Sequence, residues 1–166
     1  LTAKVFTANK QRNYDVFTSI SYVYLAHFQV LVNDMKAFQR FFKARKVAVI
    51  LDESAVIKSY SAKITRSYHK LAEFIPIRVI MSGTPYANKP KDIWSQIYFL
   101  DFGLSLGSNY YDFEEDYTFP RESYLKKTFA NNLKKLNEKI SDFTVRETKD
   151  TAGISLPNKE YITLYA

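Results

Sequence analysis

The feature that most constrains this chain is a five-residue apolar run, Val47-Ala48-Val49-Ile50-Leu51, which stops abruptly at Asp52-Glu53. An uninterrupted aliphatic run reads as a strand buried on both faces, as the strands of parallel sheets are. Ile77 to Met81 reads as another buried strand, and it stops at Ser82-Gly83-Thr84-Pro85. It lies roughly 30 residues downstream, the spacing of a βαβ crossover. Between the two, Ser61 to Phe74 carries Ile64, Tyr68 and Leu71 on one helical face. Strands alternating with helices at this spacing imply an α/β sandwich with a mostly parallel sheet.

The remaining segments are read the same way. Tyr14 to Ile20 is expected to be a short buried strand followed by Ser21-Tyr22. From Tyr22 to about Ala44, Leu25, Phe28, Val32, Met35, Phe38 and Phe42 recur at helical spacing, with Asn33 and Asp34 capping a second helix. The basic run Lys43-Ala44-Arg45-Lys46 suits a helix C-terminus. Pro90 suits a first helical position, and Ile93, Trp94, Ile97 and Leu100 form an apolar stripe after it. Trp94 reads as core packing rather than a platform for stacking bases. Asp101 to Pro120 is expected to be irregular, Asn131 to Ile140 helical, and Phe143 to Arg146 and Glu160 to Tyr165 extended.

A chain of 166 residues suits one domain. Its formal charge of +7 points to a polyanionic partner such as nucleic acid, although a basic surface also serves solubility. The 13 Tyr and 13 Phe could stack on bases, and core packing is the stronger reading. The absence of cysteine excludes disulfides and thiolate metal sites, and suits a reducing compartment. His27 and His69 lack ligand spacing to a partner, which argues against a metal hydrolase. No apolar run is long enough for a membrane-spanning helix, so no membrane partner is expected. The start at Leu1 without a leader, and the apolar end, lead us to expect a piece of a longer intracellular protein.

In a doubly wound sheet, ligands gather at the carboxyl ends of the strands. A nucleotide triphosphatase needs a carboxylate there for Mg²⁺, usually through its water shell, and a group that orients or deprotonates the attacking water. Asp52 and Glu53 stand where adjacent side chains can divide those roles. Two acids after a strand equally suit a turn cap or a solvated edge, and matches this short are common. Ser82-Gly83-Thr84-Pro85 offers a permissive backbone and two hydroxyls, and is also a good ordinary strand-to-helix turn.

Taken together, the two steps are more specific. A strand ending in Asp-Glu, a helix, then a strand ending in Ser-Gly-Thr-Pro resembles motifs II and III of superfamily 2 helicases. Leu51-Asp52-Glu53-Ser54-Ala55-Val56-Ile57-Lys58-Ser59 is similar to motif II of the Swi/Snf-like ATPases. Met81 to Asn88, followed by Asp92-Ile93-Trp94-Ser95-Gln96-Ile97-Tyr98-Phe99-Leu100, resembles their motif III and its following helix. Tyr14-Asp15-Val16-Phe17 leading to Ser21-Tyr22 is similar to motif Ib, and Val145 to Lys149 with Leu156 to Glu160 to the close of the first lobe.

The resemblance implies a partial RecA-like three-layer sandwich, with residues 1–166 forming one fragment of the first ATPase lobe. It implies ATP and Mg²⁺ as cofactors, with Asp52 holding the metal through water and Glu53 as general base. Ser82, Gly83 and Thr84 would couple nucleotide state to DNA contacts. Ser21, Tyr22 and Lys58 would lie near nucleic acid, though Lys58 reads equally well as a solvated lysine. The partners implied are DNA, duplex rather than single-stranded, and a second RecA-like lobe of the same parent. The compartment would be cytoplasm or nucleoid in a bacterium or phage host, and the nucleus in a eukaryote.

Ser54-Ala55 stands where the family has Ala-His or Gly-His, so one link between the nucleotide site and motif III is missing. Glu147 stands where a second basic residue is common. There is no Gly-x-x-x-x-Gly-Lys-Ser/Thr phosphate loop, and no second lobe to supply arginines. The expected parent is a DNA-dependent ATPase that translocates on duplex DNA, the fragment alone being inactive. Two alternatives remain: a degenerate lobe that only binds nucleic acid, and another superfamily 2 helicase or restriction translocase.

Overall fold

Parallel strands need a long crossover rather than a tight turn, and both strand pairs among the described residues are parallel. The computed structural model describes residues 2–83, 90–117, 126–147 and 151–153. Strand β1 (Ala3–Phe6) leads through helix α1 (Lys10–Thr18) into β2 (Val23–Ala26), in register from Ala3 opposite Val23 to Phe6 opposite Ala26. Helices α2 (Phe28–Asn33) and α3 (Met35–Ala44) follow. Strand β3 (Ala48–Leu51) then crosses through a 3-10 turn (Ser54–Ile57) and α4 (Lys63–Ala72) to β4 (Ile77–Ile80). Ala48 stands opposite Ile77 and Leu51 opposite Ile80. After a 3-10 turn at Pro90–Ile93 come α5 (Trp94–Asp101), α6 (Tyr110–Tyr117) and α7 (Lys126–Ser141).

The expected strands at 47–51 and 77–81, the helix within 61–74 and the helix at 131–140 are all present. Several expectations are corrected. Residues 14–20 lie mostly in α1, because the Asn9 side chain caps it by accepting from Gln11 N and Arg12 N. Asn13, Val16 and Phe17 then turn inward at helical spacing, with Asn13 buried and bonded both ways to the Thr7 backbone. Helix does not run from Tyr22, because Val23–Ala26 pairs with β1; Asp34 does stand at the N-cap of α3, though without a side-chain bond. Within 101–120, α6 forms where Asn109 accepts from Tyr111 N and Phe113 and Tyr117 turn inward. Of the stretch Phe143 to Arg146, Phe143 lies in a turn and residues 144–146 are in neither helix nor strand; the stretch 160–165 lies outside the described residues.

Helices cover one face of the strands. Phe6, Leu51, Val49 and Ile80 point into a core with Phe38, Phe41, Phe42, Leu71 and Phe99. Their neighbours Val5, Val23, Leu25, Ile50, Ile77 and Val79 are exposed on the other side. The expectation that β3 is buried on both faces therefore fails among the described residues. A second core joins α5, α6 and α7 through Trp94, Ile97, Phe113, Tyr117, Leu136 and Ile140. Trp94 is 1% exposed and donates its Nε1–H to the Gly107 carbonyl, which makes it core as expected. Strands β2 and β3 are not hydrogen-bonded to each other. They line a cavity of about 260 Å³ floored by Phe6, Phe38 and Phe42. No helix among the described residues is long and apolar enough to cross a membrane.

Candidate functional site

The β3–β4 pairing brings the two sequence-marked loops together. Beyond the ladder, Met81 N donates to Leu51 O at 2.8 Å, and Ser54 N donates to Met81 O at 2.9 Å. The Asp52-Glu53 turn is thus held at both ends by Met81, the residue before Ser82-Gly83. Both loops emerge side by side at the carboxyl ends of parallel strands, where helical backbones and sheet edges leave room for a ligand. Thr84 and Pro85 lie outside the described residues.

Asp52 and Glu53 are both exposed. Asp52 Oδ1 accepts the Glu53 N–H at 3.0 Å, which ties down the turn. Glu53 has φ 53° and ψ 53°, the left-handed conformation that side chains resist. Such a residue costs about 1–2 kcal/mol and persists where its neighbours over-determine it. Among the described residues, no three His, Cys, Asp or Glu side chains cluster closely enough to hold a metal. An exposed aspartate at a strand end fits a Mg²⁺ that takes most of its ligands from water and phosphate. It does not fit a metal caged by protein.

Behind the turn, Ser54 is fully buried and donates its hydroxyl to Gln96 Oε1 on α5 at 2.7 Å. Gln96 Nε2 donates in turn to Asp92 O at 2.9 Å. Two further contacts run alongside: Lys58 Nζ lies 3.9 Å from Asp92 Oδ2, and the Tyr60 ring meets Trp94 edge-on at 5.5 Å. Sequence reading gave Ser54 and Gln96 no role. The available signal was polarity, since Gln96 sits inside an otherwise apolar helical stripe.

Lys58 borders an open cleft of about 530 Å³ with Tyr60, Lys91, Tyr110 and Glu114. Each lysine there has a carboxylate partner, Asp92 for Lys58 and Glu114 for Lys91. The Glu114 bond holds the Lys91 pKa above its ordinary value. Ser21 and Tyr22 precede β2 instead of following a strand, so they stand before its amino end while the acidic turn follows the carboxyl end of β3. The Ser21 hydroxyl bonds to the carbonyls of Thr2 and Val23, and Tyr22 is 91% exposed. Neither is brought to the acidic turn by any contact among the described residues.

Comparison with known proteins agrees with this arrangement. The chain is 26% identical over 149 residues to the ATP-dependent DNA helicase DDM1 of Arabidopsis thaliana, which covers 87% of this chain and 19% of that protein. It is 28% identical over 157 residues to the chromatin-remodeling ATPase INO80 of Schizosaccharomyces pombe, covering 93% of this chain and 9% of that protein. The chain therefore spans 19% or less of these two relatives. Among solved structures, the SWI2/SNF2 ATPase core of Sulfolobus solfataricus in complex with dsDNA aligns with a TM-score of 0.64 at 25% identity. That match covers 92% of this chain and 29% of that one, and makes the fold a partial RecA-like α/β lobe. The SNF2-related domain profile matches residues 3–166, nearly the whole chain, which belongs to that family.

Proposed function

We propose that this chain is part of the first motor lobe of a DNA-dependent ATPase, one that couples ATP hydrolysis to movement along duplex DNA. The observation that carries the reading is the double tie of Met81 to Leu51 and Ser54, which sets the acidic turn beside Ser82-Gly83. In this reading Asp52 holds Mg²⁺ through water and Glu53 accepts a proton from the attacking water. Magnesium bound with ATP would neutralise charge on the β- and γ-phosphates. Ser82, Gly83 and Thr84 respond to the phosphates and pass the change to DNA contacts, with Tyr22, Ser21 and Lys58 as candidates on the DNA side. The phosphate loop and the second lobe come from elsewhere in the intracellular parent, so these 166 residues alone do not hydrolyse ATP.

The test is steady-state ATPase activity of the parent protein with and without duplex DNA. Glu53→Gln is expected to lower turnover by about 10²–10⁴-fold, the usual contribution of a general base, while ATP binding persists. Turnover that survives Glu53→Gln would remove the assignment. A second reading rests on Ala55, which stands where the family has histidine: a lobe that binds nucleic acid without hydrolysis. A parent that binds DNA in a salt-dependent way but never turns over ATP would favour it.

A further inference from the structure

Ser54 and Gln96 are each 0% exposed, and they meet across 42 residues of sequence. Two apolar side chains of the same shape would fill this space with nearly equal stability. What the polar pair adds is direction, because the bond forms only in one relative placement of its two segments. Ser54 follows Glu53 directly, and its N–H and Oγ bond to different elements, Met81 at the end of β4 and Gln96 on α5. The Gln96 amide is itself oriented by Asp92 O. Lys58–Asp92 and Tyr60–Trp94 repeat the attachment further along, so residues 54–60 are fastened to residues 92–96 at three points.

We propose that Ser54 and Gln96 are positioning residues, and that their bond carries displacements of α5 into the backbone of Glu53. The inference rests on the function proposed above. The turn has little slack: Glu53 is held left-handed between the Asp52 carboxylate and the Ser54 N–H bond to Met81. A shift of α5 along its axis therefore pulls on Ser54 and reorients the carboxylate that precedes it. The bond thus supplies in this chain a connection between the acidic turn and the segment after Ser82-Gly83, where Ala55 offers no side-chain hydrogen bond.

The experiment uses the parent protein with Ser54→Ala, Gln96→Leu and the double variant, measuring ATPase kcat and KM with and without duplex DNA. Each single substitution is expected to lower the ratio of DNA-stimulated to unstimulated kcat by about fivefold or more, the range of a working coupling, with the KM for ATP within about twofold. A loss of folded protein scales both rates alike and leaves that ratio unmoved. The double variant is expected to be no worse than the worse single one, since both act through one bond. Unchanged ratios in the single variants, or losses that multiply in the double, would overturn the link while leaving the proposed function standing. A wild-type parent without ATPase activity would overturn the function, and the link with it.

Discussion

At the scale of single residues, Glu53 combines a strained backbone with the carboxylate proposed as general base. Its left-handed φ of 53° suits glycine, which adopts this region freely. Glu53→Gly is therefore expected to raise stability toward urea by about 0.5–1 kcal/mol, after the entropy of an added glycine is subtracted. ATP turnover of the parent should be lost in the same variant. Glu53→Gln should lose turnover without the gain in stability, and comparing the two unfolding midpoints checks this. A glycine variant less stable than wild type would show that the glutamate side chain itself supports the turn. The acidic pair was legible in the sequence because a continuous apolar run ends on it. The Ser54–Gln96 bond was not, because a contact spanning 42 residues exists only once α5 has docked.

At the scale of elements, two arginines close helix ends that are not their own. Arg45 donates to Phe17 O and Ser19 O at the C-terminus of α1 and to the Tyr24 hydroxyl, and lies 5.0 Å from the Phe41 ring centre. Arg78 donates to Ala72 O at the end of α4, to Ile75 O just beyond it and to Leu100 O in α5. The basic run at 43–46 places Lys43 in the last turn of α3, as its position suggests, while the Arg45 guanidinium serves α1, which packs beside it in the fold. Such fork-shaped contacts are poorly replaced by an ammonium. Arg45→Lys is expected to lose about 1–3 kcal/mol, the usual penalty when buried acceptors lose a charged donor. Urea unfolding checks this, and a loss below a few tenths would mean the carbonyls find water instead. These two side chains also temper the reading of charge, since part of the +7 excess is spent inside the fold.

The contact between α4 and α5 is expected to make stability pH-dependent. His69 Nε2–H donates to Ser95 O at 2.9 Å, and the ring packs 4.7 Å from Tyr98. Burial lowers its pKa, partly opposed by the Ser95 bond. The unfolded chain, with a histidine pKa near about 6.5, takes up the proton first as pH falls. The contribution is complete above that value and is lost as pH falls through the folded pKa. Melting temperature should therefore drop between about pH 7 and pH 5, and less steeply in His69→Gln, which keeps a donor without titrating. Equal slopes in both proteins would assign the drop to other groups. β3 and β4 were readable here because each is an aliphatic segment, broken only by Arg78 in β4, that ends at a polar step. α1 and β2 were exchanged because each is short, and the Asn9 cap and Asn13, Val16 and Phe17 decide the matter through contacts with Thr7 and the Phe6 cluster.

At the scale of the whole molecule, the strands present one covered and one uncovered face. Val5, Val23 and Leu25 on one pair, and Ile50, Ile77 and Val79 on the other, are between 40% and 60% exposed. Contiguous apolar surface of this kind is uncommon on soluble monomers and drives association. A three-layer RecA-like sandwich would bury it beneath a second layer of helices, a layer that is not among the described residues. The 166-residue chain alone is therefore expected to self-associate at micromolar concentration, seen as a concentration-dependent mass in sedimentation. Ile50→Lys with Val79→Lys should reduce that association, because charge on the face opposes its burial. In the parent the same pair should instead be destabilising, since unpaired charges would be forced beneath a packed layer. This opposite sign is the sharper check: substitutions harmless in both contexts would mean that the face stays open to water, and that the sandwich has two layers here.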